Sequence, residues 1–485
     1  MGRKTAAGFL SILIAALIAG LPACRSSKDQ TPDPGSYFRT DQENTFRIRT
    51  LGIYSNTLRI GTYSIEKAEG VWSGFAEGPA VRQTENLDMR LSFMGEEMVL
   101  KTRQKSYIRP DLTLLGNTST IDFGGGKWDT KWLLTGDGVY KKEELMGRSF
   151  RNIKVKVPEG AITTEALSLY ISGLNELKED ELEVNLFNLT LARPVPVKIK
   201  YRGVEDGLKH FSLSMWGMEE DVWIDEHGMV AKETMPWGLQ AREPGKRDVT
   251  GALSLENVFT QTAVSTEGIP DGFAGQESAI IVIDGLAGKP PSDAWQDVKT
   301  DGERLRVILK KPVIPAPQKR SSGNVPVGGD DFGLNLGSVR IQELAREITH
   351  DIEDPWEKAE AIGRWVYNNL GKSMRECFSA LEALEAGEGE CQAHSLLTMA
   401  LLRVSGIPAR FAYGAVYMPN RGHYLFHTWV QVHVGEWIPI DPTLGYFPAG
   451  VDHLTLAAGE YMDQFQLFPY IQGGTKWRIS YQGGN

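Results

Sequence analysis

Cys391 has the residue type and the sequence context of a nucleophile. It follows the Gly-rich turn at 387–390 and precedes a strongly apolar helical run at 395–402. This order predicts a helix that begins near Cys391, where unpaired backbone N–H groups and the helix dipole stabilise a thiolate. The same pattern, taken alone, also fits a small apolar residue buried at a helix start, as free cysteines often are.

Three further motifs follow this cysteine. Residues 406–410 read Gly-Ile-Pro-Ala-Arg and lead into a strand, residues 427–434 alternate as a strand and begin His-Thr-Trp-Val, and residues 437–443 read Trp-Ile-Pro-Ile-Asp-Pro-Thr. With Gly-Glu-Cys at 389–391, they resemble the transglutaminase-like family, to which bacterial cysteine proteases and acyl transferases belong. The resemblance covers residues 340 to 445.

The resemblance implies a papain-type thiol site. Its roles carry over to Cys391 as the nucleophile, His427 as the base and Asp441 as the group that orients the base. A thiol is mostly protonated at neutral pH, so an imidazole must accept its proton, and a carboxylate must fix the imidazole tautomer. Thr428 stands where alanine is common and Gln431 where glutamate is common, and neither change removes a catalytic atom. We expect a lowered thiol pKa that depends on the imidazole.

His427 and Asp441 can act together only if they share one face of a sheet. Side chains alternate along each strand, so facing residues of this hairpin must have numbers with an even sum. A two-residue turn at 435–436 gives an odd sum. We therefore expect a three-residue loop at 434–436, or a bulge.

His394 and His433 are expected to be structural or solvent-facing. His394 lies one turn after Cys391, and His433 shares the face of His427 farther along the strand. Neither Cys377 nor Cys391 belongs to a Cys-x-x-Cys pair, so we expect no metal site and no cofactor. A Cys377 to Cys391 disulfide is compatible with the sequence but would consume the thiol of the nucleophile.

The N-terminus has the layout of a secretory signal. Basic residues at 3–4 precede an apolar stretch at 9–21, and Leu21-Pro22-Ala23-Cys24 closes it. This last pattern resembles the bacterial lipoprotein signal, which implies cleavage before Cys24 and acylation of that cysteine. The alternative is an uncleaved membrane helix, because residues 5–23 carry no charge and approach the length needed to span a bilayer.

Composition limits the class of protein. A chain of 485 residues is long enough for two or three domains. The 62 acidic and 52 basic side chains give a net charge of -10, which argues against nucleic-acid binding.

Local patterns divide the chain. β-rich alternation with Gly, Asn, Asp or Pro punctuation fills 41–310, whereas helical periodicity follows a Pro- and Gly-rich stretch. Asp354 is expected to cap a helix that begins at Pro355. We expect an α+β fold, with a C-terminal transglutaminase-like (papain-like) domain after a mainly antiparallel β region. The expected segments are a lipoprotein signal at 1–23, a flexible tether at 24–40, a β-rich region of one or two domains at 41–310, a Pro/Gly linker at 311–335 and the transglutaminase-like domain at 336–485.

These observations predict a bacterial cell-envelope thiol enzyme that cleaves peptide or carboxamide bonds through a thioester on Cys391. The resemblance favours hydrolysis, as by a protease or amidase, over cross-linking. The expected partners are a peptide or protein substrate and a membrane that holds the lipid on Cys24, either facing the periplasm or in the outer membrane. The alternative is a catalytically silent envelope lipoprotein that binds or assembles other components through its β-rich region.

Overall fold

The computed structural model describes most of residues 47–484. It leaves out the short segments 71–78, 94–95, 124–125, 137, 147–148, 159, 175–180, 190–191, 216–217, 236–237, 255–262, 287, 321–324, 330–332, 374, 376 and 471–476. The expected signal, tether and Cys24 lie outside the described residues. In the part of the chain that is described, no helix is long and apolar enough to cross a membrane. The chain divides into two compact units, one within 15–145 and 150–256, the other chiefly within 257–485.

The N-terminal unit contains one large, mainly antiparallel sheet, which confirms the expected antiparallel region. Its strands are β1 (Arg47–Ser55), β2 (Leu58–Gly70), β3 (Ala80–Phe93), β4 (Glu96–Ile108), β5 (Leu114–Phe123), β6 (Gly126–Gly136), β7 (Val139–Met146), β8 (Ser149–Lys156), β9 (Leu182–Asn188), β10 (Arg193–Glu205), β11 (Leu208–Met215), β12 (Met218–Ile224), β13 (Val230–Met235), β14 (Leu239–Arg242), β15 (Val249–Thr250) and β16 (Leu253–Ser254). In space the order runs from β8 down to β1 and then from β14 down to β9. The short strands β15 and β16 add parallel to β2 and β3. A 3-10 turn (Thr164–Ala166) and helix α1 (Leu167–Gly173) lie between β8 and β9 in the chain.

The C-terminal unit combines helices with three small sheets. Its helices are α2 (Val339–Thr349), α3 (Pro355–Asn369), α4 (Ala380–Ala386) and α5 (Cys391–Val404). Its strands are β17 (Ser265–Glu267), β18 (Ser278–Asp284), β19 (Gln296–Asp301), β20 (Arg304–Lys310), β21 (Gly371–Lys372), β22 (Glu388–Gly389), β23 (Ala409–Met418), β24 (His423–His433), β25 (Trp437–Ile440), β26 (His453–Gly459) and β27 (Arg478–Gly483). The sheets have the orders β17-β27-β18-β20-β19, β21-β22 and β25-β24-β23-β26.

The division between the units corrects the expected domain boundary. We expected a linker at 311–335, but the units separate between 256 and 257. Strand β18 pairs with both β20 and the C-terminal β27, so the strands before the Pro-rich stretch share a sheet with the end of the chain. The change in composition marks a connection within one unit. The expected α+β fold describes the C-terminal unit, while the chain as a whole is richer in sheet.

Capping residues and burial explain the helices of the C-terminal unit. Helix α3 begins at Pro355 as predicted, and Asp354 Oδ1 accepts the N–H groups of Trp356 and Glu357 at 3.0 Å each. Helix α5 buries 13 of its 14 residues. A helix that is buried on nearly all sides is typical of the centre of a domain, and α5 packs against both β23 and β24.

Candidate active site

Cys391 is the first residue of α5, as the sequence predicts, and it is 1% exposed. One turn farther along, Ser395 Oγ donates a hydrogen bond to the main-chain oxygen of Thr428 at 3.2 Å, which ties the helix start to β24. A Cβ atom on Gly389 would lie 2.4 Å from the Cβ of Ala393. The glycine of the Gly-x-Cys motif therefore leaves room for the first turn of α5.

The hairpin of β24 and β25 places His427 beside Asp441. His433 pairs with Trp437, which leaves a three-residue loop at 434–436 and confirms the predicted odd loop. Both catalytic candidates consequently fall on the same face of the sheet. His427 Nε2 lies 2.8 Å from Asp441 Oδ2, and both side chains are buried.

Asp441 holds the imidazole in one tautomer. Its Oδ1 accepts the main-chain N–H groups of Thr443 and Leu444 at 2.7 and 2.9 Å. Burial by itself raises the pKa of Asp441, but the histidines bonded to Oδ2 bring it far below its usual range. An ionised carboxylate only accepts, so Nε2 of His427 carries the hydrogen. The Nδ1 atom makes no hydrogen bond to any described residue and is left to accept a proton.

The backbone of Thr428, the residue that follows His427, interacts with the sulfur of Cys391. This backbone stabilises the thiolate and lowers its pKa, so the sulfur lies against the peptide group that joins His427 to Thr428. The main-chain N–H of Cys391 has no acceptor among the described residues. It is therefore available to stabilise an oxyanion that forms beside the sulfur.

The protonation of Cys391 differs from the expectation. Burial and the adjacent Glu390 carboxylate raise the pKa of the thiol well above its ordinary value, more than the Thr428 backbone lowers it. Cys391 Sγ lies 3.4 Å from Glu390 Oε2, while the Oε1 atom caps α5 by accepting the N–H of Gln392 at 2.8 Å. The capping residue that starts the helix thus also holds the cysteine as a neutral thiol, and the expected lowering of its pKa is wrong for this state.

His453 is a site residue that the sequence patterns did not indicate. It begins β26, and its Nε2 lies 3.1 Å from Asp441 Oδ2 while its Nδ1 lies 2.9 Å from Asp452 Oδ1. Both ring nitrogens face carboxylates, and only an imidazolium can donate from both. Asp441 therefore accepts hydrogen bonds from two histidines, His427 and His453. No local signal singles out His453, because a change of register between Tyr413 and Gly414 brings it to this position.

His394 and His433 make structural contacts, and Cys377 is a buried free thiol. His394 is fully buried, and its ring nitrogens face the main-chain oxygens of Glu390 and Leu370 at 2.9 and 3.2 Å. His433 packs against Trp437, six residues along β24 from the catalytic candidate, which corresponds to about 20 Å. Cys377 and Cys391 are both free thiols, so the disulfide that the sequence allows is absent.

Comparison with known proteins supports the family that the motifs indicate. Residues 342–442 match the model of the transglutaminase-like superfamily, and this segment is a transglutaminase-like domain. The protein ML0607 of Mycobacterium leprae (strain TN) is 29% identical over 116 residues, which is 22% of this chain and 41% of the relative. The match thus spans less than half of that relative.

Two solved structures are similar to parts of the chain. A candidate cysteine protease from Cytophaga hutchinsonii is 20% identical and covers 43% of this chain and 82% of its own, with a TM-score of 0.29. A β-barrel-like protein with a domain of unknown function from Brucella abortus is 13% identical and covers 41% of this chain and 95% of its own, with a TM-score of 0.28.

Proposed function

We propose that the C-terminal unit is a thiol enzyme that cleaves peptide or carboxamide bonds, with Cys391, His427 and Asp441 as its catalytic residues. The hydrogen bond of 2.8 Å between His427 Nε2 and Asp441 Oδ2 carries the proposal, because it leaves Nδ1 of His427 to act as a base. The matched superfamily supports a cysteine-type enzyme in general. Hydrolysis is the reaction we favour over amine transfer.

The reaction begins from a neutral thiol. His427 Nδ1 accepts the proton of Cys391 as the substrate carbonyl arrives, and the thiolate attacks that carbon. The main-chain N–H of Cys391 donates to the oxyanion. Collapse of the intermediate breaks the C–N bond, and the imidazolium returns its proton to the departing amine. His427 then deprotonates water, which cleaves the thioester and releases the carboxylic acid and the free thiol.

A thiol-directed peptide probe tests the catalytic assignment. Wild type should form one adduct on Cys391 when incubated with a peptide vinyl sulfone, and the His427→Ala variant should form almost none near pH 7. Cys377→Ala is the matched control, because it removes the other buried free thiol, which contacts Glu388 and is assigned no catalytic role, and it should keep full labelling. Labelling that persists in the Cys391→Ala variant would refute the assignment.

The nature of the acceptor is tested separately. A peptide mixture incubated with the protein and a labelled amine should yield new carboxylate ends, which take up ¹⁸O from labelled water. Incorporation of the amine into glutamine side chains in place of cleavage would change the proposed reaction to cross-linking.

A catalytically silent protein is the second candidate. The observation in its favour is the thiol itself, since Cys391 is 1% exposed and its pKa is raised. A protein of this kind would bind envelope components through its N-terminal unit. Failure of every thiol probe to label the folded wild type, with or without peptide, would favour this candidate.

We also propose that the protein is attached to a bacterial envelope membrane, in the periplasm or the outer membrane, through lipid on Cys24. The pattern Leu21-Pro22-Ala23-Cys24 supports this location. Mature protein should begin at Cys24, carry acyl chains and sediment with membranes, and Cys24→Ala should block processing. Mature protein that retains residues 1–23 would contradict lipid attachment.

A further inference from the structure

The N-terminal unit contains a cavity on one face of its sheet. Its floor has two adjacent rows of side chains that cross neighbouring strands. One row includes Ile65, Glu85 and Gln104, and the other includes Tyr63, Ile121 and Trp128. The 3-10 turn Thr164–Ala166 and β13 also contribute to the lining. The cavity is partly open to solvent, and the proposed enzyme reaction uses none of its residues.

Carboxyl groups outnumber cations in this cavity. Glu85 projects from the floor, Glu165 from the 3-10 turn and Glu233 from β13, and the last two are 8% and 2% exposed. The buried ammonium group of Lys67 donates to a serine hydroxyl and a main-chain carbonyl, and its charge offsets only that of Glu85 among the three carboxyl groups. Arg103 also lines the cavity, but an exposed aspartate binds its guanidinium through two oxygens. The interior therefore has an excess of acid.

One carboxylate oxygen of Glu165 accepts no hydrogen bond from the described residues. Its Oε1 accepts a hydrogen bond from Gln104 Nε2 at 3.0 Å, whereas Oε2 is buried and has no hydrogen-bond partner among the described residues. The hydroxyls of Thr163 and Thr164 lie close enough to lower the pKa, but neither bonds to Oε2 with ordinary geometry. A buried acceptor without a donor is unfavourable. A ligand that donates to Oε2 would remove this cost.

Protons and cations compete for these carboxyl groups. Burial, together with the charge of Glu85, raises the pKa of Glu165 to about 7 and that of Glu233 to about 8. The titratable groups around Glu165 are Tyr63, Lys67, Glu85, Tyr140 and Glu233. A bound cation would favour the ionised carboxylates, so its binding would release protons near neutral pH.

We propose that this cavity binds a small organic amine, whose ammonium group donates to Glu165 Oε2 and whose carbon chain lies against Trp128 and Ile121. The excess of carboxyl groups selects a cation over an anion. Among the described residues, no three carboxylate, histidine or cysteine side chains are close enough to hold one metal ion. Separated carboxyl groups and an aromatic floor fit an elongated organic cation better than a metal ion.

Calorimetry with 1,5-diaminopentane and the full chain tests this proposal. We expect saturable binding of the diamine at pH 8, release of protons on binding, and a loss of affinity of about tenfold or more at pH 5.5. Glu165→Gln keeps the size of the side chain and should weaken binding at least tenfold, and Glu233→Gln provides a second variant if the first fails to fold. Glu97→Gln, at an exposed position of β4, is the matched control and should bind as wild type does.

Three results would overturn the proposal. These are no binding of the diamine, equal binding by wild type and the folded Glu165→Gln variant, and equal binding of the neutral analogue 1,5-pentanediol. Binding of calcium ions with displacement of the diamine would assign the cavity to a metal instead. Each result is independent of the enzyme activity, because none of them involves the C-terminal unit.

Discussion

His453 should make the stability of the C-terminal unit depend on pH. Its two ring nitrogens contact Asp441 and Asp452. The folded protein therefore stabilises the protonated form of His453 more than the unfolded chain does. Burial alone lowers the pKa of His453, but the Asp452 and Asp441 carboxylates raise it overall from 6.5 to about 9. The substitution His453→Gln removes this titration.

The magnitude follows from the two pKa values. A rise from 6.5 to about 9 corresponds to about 3 kcal/mol of folding free energy. Because the folded pKa lies above the unfolded value, this contribution is fully present below pH 6.5 and is lost as the pH rises through 9. His453→Gln should therefore cost about 3 kcal/mol at pH 6 and much less at pH 10.

Urea unfolding of wild type and variant at pH 6, 8 and 10 measures this difference. The difference between wild type and variant cancels the titration of groups that His453 does not contact. His423→Gln, at an exposed histidine of β24, is the matched control and should change little at any pH. A cost of His453→Gln that stays constant from pH 6 to 10 would refute the argument that His453 carries a charge between two carboxylates.

Four other substitutions test the local geometry. Glu390→Gln removes a negative charge beside the thiol, so the thiol pKa should fall and iodoacetamide should react faster at pH 7. The control Glu388→Gln, at an exposed position, should leave that rate unchanged. Equal rates in the wild type and both variants would exclude this effect of the Glu390 carboxylate. Asp441→Asn should keep the fold and lower turnover by about 10³-fold to 10⁴-fold, because an amide does not enforce the imidazole tautomer, and a loss below tenfold would contradict that role. Gly414→Ala places a Cβ atom 2.0 Å from a main-chain oxygen of β26 and should destabilise the unit by about 1–3 kcal/mol, whereas an unchanged urea midpoint would show that the strands move apart freely. Asp354→Ala removes the cap of α3 and should lower the free energy of unfolding by about 1 kcal/mol in the same assay. Asp354→Asn is the control, because an asparagine can still cap the helix. Equal losses in both variants would indicate that the charge of Asp354 matters and not its capping hydrogen bonds.

Local sequence signals predicted much of the catalytic arrangement. The helix that starts at Cys391, the cap at Asp354 and the three-residue loop at 434–436 all follow from neighbours within a few positions. Each depends on one turn of helix or on the alternation of one hairpin, so a single stretch of chain contains the information. The order of the motifs was sufficient to identify the transglutaminase-like segment.

The tertiary structure alone decided the features that depend on distant pairing and burial. Strand β27 pairs with β18, so the strands before the Pro-rich stretch belong to the C-terminal unit. The boundary between the units therefore lies between 256 and 257, not in the predicted linker at 311–335. His453 reaches Asp441 only because β26 pairs with β23 on the side opposite β24. The pKa of the thiol is raised, although the sequence predicted that it is lowered, because Cys391 is buried against Glu390. The sequence by itself determined the helix periods, the caps and the loop parity, because these are properties of adjacent residues. Only the folded chain determines which strands are neighbours, which residues are buried and which charges meet in the core, because these depend on residues far apart in the sequence.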